Sequence, residues 1–206
     1  MKRGNIVLLL LVIVLGAIAA LVVSVLHNGV SARATPNALE VFVARHLRHF
    51  AIPSDARAMK NPVADSPEVQ REARLHFADH CAICHGNNGS GDTTIGHGLY
   101  PKPPDLRQPR TQDLFDGEIY WIIQNGVRLT GMPAFGGSGE HDNEDTWKLV
   151  RFIRHLPKLT EEERLEMEKY NPKGPEDREE EKQEEQFLNN GVPAPQPSAA
   201  QPHHHH

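Results

Sequence analysis

The chain has 206 residues, with 22 Lys+Arg against 27 Asp+Glu, 13 His and two Cys, for a formal net charge of -5. Two cysteines exclude a disulfide-rich scaffold and a four-cysteine zinc site, and the mild acidity gives no electrostatic reason for a nucleic-acid partner. Much of the hydrophobic content sits in one early run, which leaves a single soluble domain of roughly 100 residues as the expected folded part.

Residues 6–26 are 21 consecutive positions without a charge, long enough as a helix to cross a hydrocarbon core of about 30 Å. This predicts a transmembrane anchor over residues 1–28. The competing reading is a cleaved secretory signal, but such a signal has an apolar stretch of only about 7–15 residues. Here Ala17, Ala19 and Ala20 lead into further apolar residues instead of a polar mature start. Lys2 and Arg3 precede the span, so the positive-inside rule keeps the N-terminus cytoplasmic and sends everything after the span outward.

Residues 29–65 read as a stalk. Pro36 opens an amphipathic helix over residues 37–50, with Leu39, Val43, Leu47 and Phe50 at helical spacing, and an extended connector with Pro53 and Pro62 follows over residues 52–65. Arg45, His46, Arg48 and His49 read either as solvated surface or as contacts for lipid headgroups or a partner. The net charge is +5 over residues 1–63, -4 over 64–157 and -6 over 158–206.

Residues 66–157 form the candidate domain. Ser66, Pro67 and Glu68 supply an N-cap, an N1 proline and an acidic first turn, and Val69, Ala73 and Phe77 form a stripe behind them. Residues 118–124 predict a short apolar helix stopped by Asn125-Gly126. A last helix, capped by Asp142 or Asn143, buries Trp147, Val150, Ile153 and Leu156 before Pro157 ends it. Residues 158–206 read as an acidic tail, with a Thr160/Glu163 capping box starting a helix to about Tyr170. The Glu-rich stretch 176–185 and the Pro/Ala/Gln run to Pro202 lack apolar surface, which predicts disorder. The tail reads as a solubilising segment or, less simply, as a docking element. The four terminal histidines read equally as metal ligands, a tag remnant or a fortuitous polar end.

Both cysteines fall in Cys81-Ala82-Ile83-Cys84-His85. At i, i+3 and i+4 of a helix, two sulfurs and an imidazole emerge on one face within a turn. Two thiols so placed can add to the two vinyl groups on one edge of a haem while the imidazole reaches the iron. A thioredoxin-like pair would need a βαβ context, and a structural zinc would need a second ligand pair. A plain disulfide stays open in an oxidising compartment. The motif favours one haem c, bound covalently through Cys81 and Cys84.

A haem electron carrier needs a second axial ligand. Met1, Met59 and Met167 lie at the N-terminus, in the connector and in the tail, which leaves Met132, in Gly131-Met132-Pro133. Pro133 pushes Met132 towards extended backbone and Gly131 permits close approach. The bland reading is core filler, and His97, in Gly96-His97-Gly98, is the alternative ligand.

At this point the sequence resembles the class I cytochrome c family, through Cys81 to Gly86, Pro103-Pro104-Asp105-Leu106 and Gly131 to Phe135, in that family's order and approximate spacing. The resemblance implies an all-α cytochrome c fold around one haem, preceded here by one transmembrane helix. It also implies that the Pro104 carbonyl receives the Nδ1 proton of His85; a merely rigid proline loop is the alternative. Tyr100, Tyr120 and Trp121 read as propionate partners or as ordinary core. Lys102, Arg107, Arg110, Arg128 and Lys148 are candidates to surround a haem edge, although the domain's negative charge argues against a simple basic docking face.

The expected function is one-electron transfer by a membrane-anchored periplasmic carrier, not an enzyme, serving redox partners in the same membrane or the periplasm. Its expected site is Cys81, Cys84, His85, Met132 and Pro104, with His85 and Met132 on the iron. The alternatives are a haem-based gas sensor and a haem subunit of a larger oxidase or dehydrogenase. Asp92, Asp105 and Asp116 lie beside glycine or proline, as turn residues do.

Overall fold

The structure is a computed structural model that describes residues 3–29, 31–137 and 139–190. Among the described residues, every regular element is a helix. Among the described residues, α1 (Arg3–Asn28) contains the one helix segment long and apolar enough to cross a membrane, residues 4–27. α2 (Ala38–Ala51) starts at a complete capping box, the Asn37 side chain accepting from Glu40 N and Glu40 accepting from Asn37 N.

The body is built on two crossing helices, α4 (Pro67–His80) and α9 (Glu140–His155). Ser66 caps α4 through Val69 N, with Pro67 in its first turn. Phe77 and Phe152 meet edge to face at 5.2 Å between ring centroids, both fully buried. α9 buries more than the predicted stripe: Leu149 and Phe152 join Trp147, Val150, Ile153 and Leu156 in the core. It also begins upstream of the expected cap. Asn143 lies inside the helix, where it accepts from Tyr120 and Gln124. The helix passes at Leu156 into a 3₁₀ turn, Leu156–Lys158.

α8 (Asp116–Asn125) packs on α9 and stops at Gly126, whose φ of 65° closes the helix as the Asn-Gly pair predicts. The predicted extended connector contains a short helix, α3 (Ser54–Ala58), packed on α8. A Cβ on Gly117 would lie 1.9 Å from the Ala56 carbonyl oxygen, so the two backbones meet where only glycine fits. Ile52 and Ala56 are buried, Asn61 donates to the Trp147 carbonyl, and Arg151 donates to the Val63 carbonyl. The connector is therefore part of the folded body.

At the other end, α10 (Glu161–Glu168) starts at the predicted Thr160/Glu163 box and lies on α4. Met167 is wholly buried, and Arg74, only 8% exposed, pairs with Glu163 at 2.8 Å and with Glu166. An acidic tail beginning at residue 158 thus does not describe residues 161–168. α11 (Pro175–Asn190) corrects the expected disorder of residues 176–185. Its Glu, Lys, Arg and Gln are strong helix formers, and pairs such as Lys182 with Glu179 at 3.2 Å support a helix that needs no core. Residues 170 and 171 mark the division between two compact units, the second containing α11. Lys2, the run from Gly191 to Pro202 and the terminal histidines lie outside the described residues.

Candidate haem site

Cys81 ends α4, and a single turn, α5 (Ala82–His85), carries the rest of the motif. His85 N and Cys84 N both donate to the Cys81 carbonyl, at 3.0 and 3.2 Å, which fixes the three side chains on one turn. Both cysteines are free thiols, half-buried. Burial, with Cys84 beside it, pushes the Cys81 thiol up to about 12. Burial raises Cys84 as well. Both sulfurs are therefore protonated at neutral pH.

The His85 ring lies 6.5 Å from that of Phe77, centroid to centroid. Burial lowers its pKa and the Pro104 carbonyl raises it, with burial prevailing. The imidazole is thus held neutral, as an iron ligand must be. Pro104 acts on the ring electrostatically, but the buried Nδ1 has no hydrogen bond of full geometry, so the contact falls short of a bond. What holds Pro104 there is the loop after the motif. Gly91 N donates to the His85 carbonyl at 2.8 Å, and Leu106 N donates to the Gly89 carbonyl at 2.8 Å. Gly91 has φ of 74°, and a Cβ there would come within 2.5 Å of the Pro103 carbonyl oxygen. Thr93 fastens the same loop by donating from Oγ1 towards the Ile83 carbonyl at 3.0 Å, and it caps the short helix α6 (Thr94–His97).

Met132 comes from a different part of the chain. The segment after α8 turns back on itself: Val127 N donates to the Met132 carbonyl at 3.1 Å, and Met132 N donates to Thr130 Oγ1 at 3.1 Å. Phe135 N and Gly136 N then donate to the Ile123 and Gln124 carbonyls, pinning the loop over the end of α8. Met132 is half-buried and packs against the core that Cys81 also touches. A Cβ at Gly131 would meet Leu99 at 2.6 Å, so the loop between α6 and the single turn α7 (Pro109–Gln112) touches the loop after α8 beside Met132.

The other sequence candidates are occupied elsewhere. His97 is exposed, and its Nε2 lies 2.6 Å from Asp92. The Tyr100 hydroxyl donates to Glu40 at 2.9 Å, and that of Tyr120 donates to Asn143 while its ring stacks on Trp147 at 4.1 Å. Trp121 is half-buried. Lys148 pairs with Glu72, Glu144 and Asp145. Arg107 forms a bidentate pair with Asp105, which holds that carboxyl down to about 2. Lys102, Arg110 and Arg128 are exposed. Asp116 pairs with Arg154.

Two residues escaped the sequence reading. Glu118 is buried at the start of α8 and accepts from Phe115 N at 2.9 Å, and Arg74 is buried against α10. Only their helical register with Ile122 and Phe77 could have signalled them.

Two protonated thiols and a neutral imidazole on one turn, with a thioether held on the same core, are the donor set a haem c requires. Among the described residues, no three His, Cys, Asp or Glu are grouped to hold a bare metal ion. Residues 68–153, about two-fifths of the chain, match the family model described as cytochrome C oxidase, cbb3-type, subunit III.

Proposed function

Starting from a c-type cytochrome domain, whose work is haem-based electron transfer, we propose that this chain is a membrane-anchored carrier that passes single electrons on a His/Met-ligated haem. Bound there, haem c supplies a one-electron Fe(III)/Fe(II) couple. Cys81 and Cys84 would hold it through thioethers, His85 and Met132 would ligate the iron, and the Pro104 carbonyl beside the His85 ring would help to orient it. The observation that carries this reading is the single turn bearing Cys81, Cys84 and a desolvated His85. α1 anchors the domain in the inner membrane, with the positive charge at its start keeping that end cytoplasmic and the domain periplasmic.

Optical spectra of the purified protein test the ligand set. We expect the weak sulfur-to-iron band in the oxidised form, its loss in Met132→Ala, and no carbon monoxide binding by the reduced wild type. Ready carbon monoxide binding together with a missing band would remove Met132 as a ligand and leave a gas-binding protein as the better reading.

The family match supports a second arrangement, in which the chain is a fixed haem subunit of an oxidase. Gentle solubilisation of native membranes separates the two. A carrier migrates alone, whereas a subunit keeps stoichiometric company.

A further inference from the structure

The stalk helix α2 carries more exposed apolar surface than a spacer needs. Leu39 is 70% exposed, Phe42 58%, Val43 44% and Leu47 63%, and Phe50 is exposed as well. Their spacing of three and four puts them on one side of the helix. The partly buried positions, Val41 and Arg48, lie on the other side. Soluble surfaces rarely collect large apolar side chains into one stripe without something to cover it.

Two facts identify what covers it. α2 follows α1 after only the linker 29–37, which at full extension reaches about 30 Å, so the helix cannot leave the neighbourhood of the membrane surface. Beyond the span the chain is also basic in this region alone, with five Lys+Arg against two Asp+Glu over residues 29–63, net +3, against negative values in both later regions. An amphipathic helix in a basic stretch of chain, tethered beside a membrane span, matches an interfacial helix on anionic lipid.

We propose that α2 lies in the plane of the membrane interface, with Leu39, Phe42, Val43 and Leu47 among the acyl chains. This rests on α1 being a membrane anchor. Glu40, on the flank of the helix, accepts from the Tyr100 hydroxyl, and Tyr100 follows Leu99, which borders Gly131 beside Met132. A helix fixed at the interface therefore sets how the Met132 side of the domain is presented to partners in the same membrane.

The test uses the full haem-loaded chain in vesicles of phosphatidylcholine and phosphatidylglycerol, with nitroxide labels at Val43→Cys, at Ala44→Cys on the polar side, and at Val14→Cys within α1. Wild type carried through the same labelling reports any reaction at the native cysteines. Collision with oxygen relative to a water-soluble nickel chelate should be several-fold higher at position 43 than at 44, and high at 14. A high ratio at 14 with equal, water-like ratios at 43 and 44 overturns the proposal and leaves the anchor intact. Shielding of position 43 from both reagents places protein on the stripe and also overturns it. A water-like label at 14 removes the anchor, and the proposal with it.

Discussion

Helices α2 and α10 flank residues 68–153 in the chain and both open with a capping box, yet among the described side chains only α10 buries one of its own in the core. α10 is by far the more polar, with the sequence EEERLEME, but its single Met167 is fully buried and its glutamates hold Arg74. α2 has five large apolar residues turned to the outside. What docks a helix is therefore a complementary partner and not its apolar content. The body presents α10 with a hole for one thioether and a buried guanidinium that would be costly to leave alone.

The contrast breaks first at Met167. Met167→Ala should lower the unfolding free energy by about 2–5 kcal/mol, the usual cost of emptying a closed core site, seen as a lower urea midpoint. A loss of a few tenths would mean that α10 is not part of the cooperative body.

A smaller effect comes from the glutamates. Arg74 and Arg71 hold the Glu166 carboxyl below its ordinary value of 4.5. For Glu163, burial pushes upward but is outweighed by the Thr160 amide, His155 and Arg74, so it too is lowered. A depressed carboxylate contributes stability that is fully present above the unfolded value and disappears as pH falls through the folded one. Glu166→Gln should thus cost about 1 kcal/mol at neutral pH, because the group is partly solvated. The gap between variant and wild type should close as pH drops below 4.5. A gap independent of pH would make the contact a matter of packing alone.

The least effect belongs to α2. Leu47→Ser should change the unfolding free energy of the detergent-solubilised protein by no more than about 0.5 kcal/mol, because that side chain leaves little water behind on folding. A larger loss would show that α2 is bound to the body as α10 is.

The turn that carries Cys81, Cys84 and His85 was legible because it is local, and no long-range fact is needed to bring the three side chains together. The all-helical body and the ends of α4 and α8 were legible for the same reason, through Ser66, Pro67 and Gly126. Residues 52–65 misled because their tertiary signal is small. A stretch whose buried side chains are only Ile52, just before Pro53, and Ala56 looks like a linker, and the matching clue sits at Gly117, a glycine inside a helix marking close backbone approach. α11 misled for the opposite reason, since a sequence without core residues can still hold a helix by propensity. The contact between Pro104 and His85 depends on loop 86–91 folding under loop 103–106, a meeting that neither stretch encodes alone.

The burial of Cys81 bears on when its sulfur can react. A thioether bond needs a reactive sulfur, and a thiol whose pKa stands at about 12 is almost never ionised at neutral pH once the chain has closed around it. On the proposed haem-binding reading, the Cys81 sulfur would be easier to reach while the turn is still open to water than after the core it packs against has closed.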